Sequence, residues 1–259
     1  MATEAASPRR RDDGKNLTII GHLDELRRRL MICAGALVVA TIAGFYPLTT
    51  WALEWLQKPA EDNVDDFNLI FTQPLEFWTT FFRVSLMIGI TFAMPVFLYQ
   101  TLAFVGPGLT KTERRWTYPI VIFASLMFVA GVAFAYYVEM PPALGFLLDP
   151  PSDVATPFIS VKSYVDFATR LMLVTGLVFE TPLFVMGLAK VGVVNSRQLL
   201  RWWRFAILGA FVLAAVVTPS VDPITQTLLA VPMIVLYFVG IGLAKLVEKK
   251  PIIPPTARP

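Results

Sequence analysis

The chain has 259 residues, 56% of them hydrophobic and only 16% charged, with a mean hydropathy of +0.62. A soluble domain carries charge on about a quarter of its residues and spaces its apolar residues at helix or strand periods. This composition therefore excludes a soluble enzyme, a disordered chain and a disulfide scaffold, and the single cysteine, Cys33, has no internal partner. The net charge of +3 is distributed as membrane topology requires, so no nucleic-acid partner is expected.

Residues 1–16 are polar and are expected to form a disordered tail. The segment 17–30 has a helical period, with Ile19, Leu23, Leu26 and Leu30 on one face and His22, Glu25 and Arg29 on another. It reads as an amphipathic helix at the cytoplasmic surface that runs into the first span. Six apolar blocks follow, at 30–48, 77–105, 118–138, 167–194, 205–218 and 224–244. A bilayer core of about 30 Å needs about 20 helical residues. The fifth block reaches only roughly 21 Å at about 1.5 Å per residue, so the bilayer thins there or the helix is buried behind others. The last two blocks form a tight antiparallel hairpin. The expected fold is all-α, a single polytopic domain of six transmembrane helices over 17–248, with a second disordered tail at 249–259.

Most of the 22 Lys and Arg residues flank one side of these blocks, leaving Lys58, Arg83, Lys162 and Arg170 on the other. The positive-inside rule then puts both termini in the cytoplasm of a multi-pass cytoplasmic-membrane protein. The opposite loops carry Glu54, Glu61, Asp62, Asp65 and Asp66, and later Glu139, Asp149, Asp153 and Asp166. They contain Pro141, Pro142, Pro150, Pro151 and Pro157 and are expected to be irregular. The apolar block beginning at Leu30 lacks a small-residue cleavage pattern, so no cleaved leader is expected. No internal repeat is visible, which weighs against an inverted-repeat transporter.

A few polar residues stand out. Glu25 either pairs with Arg29 at i+4 or offers an acidic spot where a cationic ligand replaces Arg29. Glu113 follows Thr110 by three residues, as in a capping box, and could equally pair with Arg114 or Arg115. With Asp24 facing away from Glu25 and Glu248 taken with the tail, Glu25 and Glu113 are the only carboxylates on the cytoplasmic rim in segments expected to be ordered. Glu180 lies deep in the fourth block, where a charge costs about 2.5–3.5 kcal/mol on insertion scales. It should be protonated, face a polar cavity, or bind a polar group of another helix. Pro182 is expected to kink that helix, and Pro95 to interrupt the second span. Thr218 and Gln226 either bond a neighbouring helix or bond each other, and Asp222 can cap the sixth span. No catalytic set, metal cluster or phosphate loop is present, so no enzyme activity and no cofactor are expected.

The segments 22–30 (HLDELRRRL), 94–100 (MPVFLYQ), 104–115 (FVGPGLTKTERR), 179–182 (FETP) and 218–232 (TPSVDPITQTLLAVP) together resemble the TatC family. TatC is the multispanning subunit of the twin-arginine protein translocase. The resemblance implies a concave helix bundle that receives the signal peptides of folded export cargo and is driven by the proton-motive force. By resemblance, Glu25 and Glu113 would form the acidic site for the twin arginines, with Arg27 and Phe104 lining or shaping it. Glu180 would project into a partly hydrated concave face, and Thr218 and Gln226 would dock single-span partners of the TatA and TatB type. Asp222 and the outer loop near Pro59 would hold the extracytoplasmic cap and neighbouring copies in a multimeric complex. The competing reading is a proton-coupled small-molecule transporter with Glu180 as proton carrier.

Overall fold

Residues 19–61, 69–105, 111–148, 159–218 and 223–248 are described by a computed structural model. Helix α1 (Ile19–Gly44) contains no proline, so the amphipathic segment and the first span form one rod. After a 79° bend the chain enters α2 (Pro47–Glu61), whose first residue is a proline that needs no backbone donor there. The acids Glu54 and Glu61 thus sit on a helix, not in an irregular loop. Strand β1 (Leu69–Ile70) leads to α3 (Glu76–Val105), which runs unbroken through Pro95. The expected interruption is absent. Pro95 is exposed, so its ring disturbs no helix contact, and a 30-residue helix tolerates one missing backbone bond.

Helix α4 (Lys111–Phe134) continues through a π-helical turn (Ala135–Glu139) into α5 (Met140–Leu148). The turn buries Ala135, Tyr136 and Glu139 together, and the span runs on to Leu147, past the expected end of the third block at residue 138. Glu139 therefore belongs to the span and not to an outer loop. Strand β2 (Ile159–Ser160) precedes α6 (Val161–Phe179) and α7 (Thr181–Val191), two pieces of the fourth span broken at Glu180. Helix α8 (Ser196–Arg201) starts in a capping box between Asn195 and Gln198. A final hairpin joins α9 (Trp203–Val217) to α10 (Pro223–Val247).

Among the described residues, four helical runs are long and apolar enough to cross a membrane, or five if the bent pair α1–α2 counts as one. Helix α9 has only 15 residues, in keeping with the short fifth block. Helix α1 packs on α3, α4 on α6, and α10 on both α7 and α9. The α4–α6 crossing is close: a Cβ at Gly131 would lie 2.8 Å from the Gly176 Cα.

Polar bonds fasten the α2 end of the bundle. The Tyr136 hydroxyl donates to the Trp55 carbonyl at 2.7 Å, and the Tyr164 hydroxyl to the Leu56 carbonyl at 2.6 Å. The Trp55 and Tyr136 rings stack at 3.6 Å. Glu76 takes the Lys162 backbone N–H on one carboxylate oxygen and the Thr72 and Gln73 N–H groups on the other. Strands β1 and β2 pair in parallel beside it, Leu69 opposite Ile159, and Arg83 of α3 pairs with Asp166 of α6.

Candidate functional site

At the opposite end, α1 and α3 place a polar ladder between them. His22, Glu25 and Arg29 lie at i, i+3 and i+7 on α1, while Gln100 and Phe104 lie at i and i+4 on α3. The His22 ring stacks on Phe104 with centroids 4.4 Å apart and planes at 17°. Arg29 donates to Glu25 Oε1 from Nε at 3.0 Å and from Nη2 at 2.5 Å. Its Nη1 donates to Gln100 Oε1 at 3.0 Å. The i+4 pair anticipated from the sequence is formed, and a second helix reinforces it.

The orientation of α1 reverses the soluble pattern. Leu23 and Leu30 are 58% and 59% exposed, while the polar face packs on α3. In a bilayer the outward face meets hydrocarbon, so polar atoms find their partners inside. Arg27, two residues after Glu25, stands on the outward face beside Leu23, Leu30 and Met31. The structure thus brings Glu25 and Phe104 to one ladder and leaves Arg27 off it. Glu113 belongs to the first turn of α4, and its side chain lies outside the described residues, as do the Gly106–Thr110 turn and its predicted cap. Gln100 was not singled out in the sequence. Its signal was a lone amide one helical turn before Phe104 in an apolar span.

The second feature is the break in the fourth span. Pro182 opens α7, and the Glu180 carbonyl accepts from the Leu183 and Phe184 N–H groups at 3.1 and 3.0 Å, so the backbone stays satisfied. The Glu180 side chain is 0% exposed, and neither carboxylate oxygen has a hydrogen-bond partner among the described residues. It borders a cavity of about 60 Å³, room for a few waters. The walls are Leu98 and Leu102 of α3, Ile120 and Ala124 of α4, and Leu183 and Phe184 of α7, with Thr101 the one other polar lining residue. This cavity and the ladder share the last two turns of α3.

In the hairpin, Gln226 Nε2 donates to the Phe211 carbonyl at 2.9 Å and Thr218 Oγ1 to the Ala214 carbonyl at 3.0 Å. Each side chain bonds the α9 backbone, and they do not bond each other. Asp222 lies outside the described residues, and Pro59 is buried within α2. A buried carboxylate missed in the sequence is Glu139. Its Oε2 accepts from Thr175 Oγ1 at 2.7 Å, and its Oε1 has no partner among the described residues. The apolar run Met140–Leu148 beyond it was the available signal that the span had not ended.

Residues 21–232 match the family described as Sec-independent protein translocase protein (TatC). The TatC protein of Synechocystis is 41% identical over 240 residues, 92% of this chain and 91% of the relative. The chloroplastic TATC of Arabidopsis thaliana is 42% identical over 234 residues, 90% of this chain and 68% of the relative. A crystal structure described as the twin arginine translocase receptor TatC superposes with a TM-score of 0.79 at 36% identity, covering 87% of this chain and 99% of the other.

Proposed function

This chain belongs to the TatC family of Sec-independent protein translocase proteins, and from that premise we propose that it is the receptor that reads twin-arginine signal peptides. As a family member it is a multi-pass membrane component of the translocase and not an enzyme. The observation that carries the receptor reading is Glu25, a rim carboxylate already holding a guanidinium between two helices. A carboxylate with both oxygens free accepts a guanidinium fork in two parallel bonds, and one with a single free oxygen still accepts one charge-assisted bond. Glu113 supplies the second acid for the second arginine, and Phe104 closes the apolar side. The apolar stretch of the peptide then runs along α3 toward Glu180.

Partner helices of the TatA and TatB type dock at Glu180 and at the Thr218–Gln226 hairpin, where the short α9 thins the bilayer and completes a sixth span. Asp222 and the region of Pro59 serve the outer cap and contacts between copies. Both termini face the cytoplasm of the inner membrane, and folded cargo crosses at the expense of the proton-motive force. The competing transporter reading gains no support, because the relatives are translocase proteins.

The test places a photo-crosslinker in a twin-arginine peptide, beside the arginine pair, and offers it to the membrane-inserted chain with a twin-lysine peptide as control. Crosslinks specific to the arginine peptide are expected, and Glu113→Lys should abolish them without loss of insertion. Equal crosslinking of both peptides, or full binding by Glu113→Lys, would overturn the receptor assignment.

A further inference from the structure

Glu25 is not an open carboxylate. Two Arg29 nitrogens, Nε and Nη2, donate to Oε1, and among the described residues nothing bonds Oε2. Arg29 is itself restrained, because its third donor is fixed to Gln100 on the neighbouring helix. A lone i,i+4 pair would exchange freely with solvent, whereas this one is tied across α1 and α3. One oxygen of Glu25 is therefore saturated from within the chain, and one remains for a ligand.

We infer that Arg29, anchored by Gln100, is a specificity-determining residue that limits Glu25 to single-oxygen recognition of an arriving cation. The inference rests on the receptor reading of Glu25. A side-on guanidinium fork needs both carboxylate oxygens, and an ammonium needs only one. With Oε1 occupied, the advantage of arginine over lysine at the position facing Glu25 shrinks. The two residues of the motif are then read unequally: the one facing Glu25 tolerates lysine, and the other does not. Arg29 acts through Glu25 and touches no peptide atom in this account, so it is a positioning residue.

The test measures equilibrium binding of four peptides, carrying Arg-Arg, Lys-Arg, Arg-Lys and Lys-Lys, to the full chain in lipid nanodiscs. The unmodified chain should bind one single-lysine peptide within about threefold of Arg-Arg and the other at least about tenfold more weakly, as a one-bond and a two-bond charge contact differ. Arg29→Gln frees Oε1, so the tolerated single-lysine peptide should fall about five- to tenfold relative to Arg-Arg as that contact becomes bidentate. Arg29→Lys keeps the positive charge that directs insertion and should shift the pattern the same way by a smaller factor. Gln100→Ala, which releases the anchor, should do likewise.

An unaltered four-peptide pattern in all three variants would overturn the inference, as would an equal loss for all four peptides. So would an unmodified chain that penalises both single-lysine peptides alike. The receptor reading fails separately: Glu25→Gln would then bind Arg-Arg as well as the unmodified chain does, whatever the Arg29 variants show.

Discussion

Replacing Glu180 with leucine should make the isolated subunit more stable and the translocase less competent. The carboxyl group is wholly buried, and both of its oxygens lack partners among the described residues. An unsatisfied buried polar group costs about 1–3 kcal/mol, and a central carboxylate about 2.5–3.5 kcal/mol on insertion scales. Leucine removes that cost, and the adjoining cavity gives its slightly larger side chain room. Glu180→Leu should therefore stabilise the purified chain by about 1–3 kcal/mol in a reversible unfolding titration in mixed micelles. If Glu180 waits for a polar group on a partner helix, the same variant should co-purify with single-span partners at least about tenfold less, a coupling of roughly 1.4 kcal/mol. Signal-peptide binding at the rim should not change. A leucine variant less stable than the parent would refute the reasoning, because it would mean that the carboxylate is satisfied in the free subunit.

Other perturbations probe the frame that holds the site. Gly131→Ala drives a methyl group to 2.8 Å from the Gly176 backbone and should cost about 1–3 kcal/mol, read in the same titration. Gly242→Ala on α10 meets nothing within 4 Å and should be neutral or stabilising by up to about 1 kcal/mol. Tyr136→Phe and Tyr164→Phe each remove a hydrogen bond to α2, at about 1 kcal/mol, and together should raise amide exchange across residues 47–61. Unchanged exchange would show that α2 is held by apolar packing alone. Thr175→Val strips Glu139 of its hydrogen bond to Thr175 and should cost about 1–3 kcal/mol, a loss that Glu139→Leu in the same chain should largely reverse.

The four long spans, among the six expected, were legible because a bilayer imposes a length of about 20 apolar residues that survives without any knowledge of packing. Glu180 was legible for the same reason, since a carboxylate in such a run is an exception that hydropathy exposes at once. What hydropathy cannot report is direction. Lipid and protein interior are alike apolar, so the period that tells a soluble helix which face to bury loses its meaning at Leu23 and Leu30. The inward turn of Glu25 and Arg29 becomes visible only when Gln100 stands opposite. Helix α2 was hidden by its own charges, Glu54, Lys58 and Glu61, although Leu56 and Ala60 on its other face are buried. Pro95 misled because a proline's effect depends on where its ring points, which composition does not record.

The same limit separates two glutamates that the sequence treated very differently. Glu139 looked like a loop acid and Glu180 like a functional one, yet both are buried in the fourth-span neighbourhood of α6. Their surroundings distinguish them. Glu139 sits in a π-helical turn, 1% exposed, with one oxygen bonded to Thr175 of the adjoining helix. That bond links the third span to the fourth inside the chain, which is a structural use of a polar group in an apolar setting. Glu180 has no such bond and lies at a helix break beside open space. A carboxyl group kept unpaired at that depth lowers the stability of the free subunit, so its retention needs a benefit realised elsewhere. A partner or an inserted peptide carrying a hydrogen-bond donor into the cavity supplies that benefit. It also predicts that removing Glu139 weakens the fold, whereas removing Glu180 weakens only the assembly.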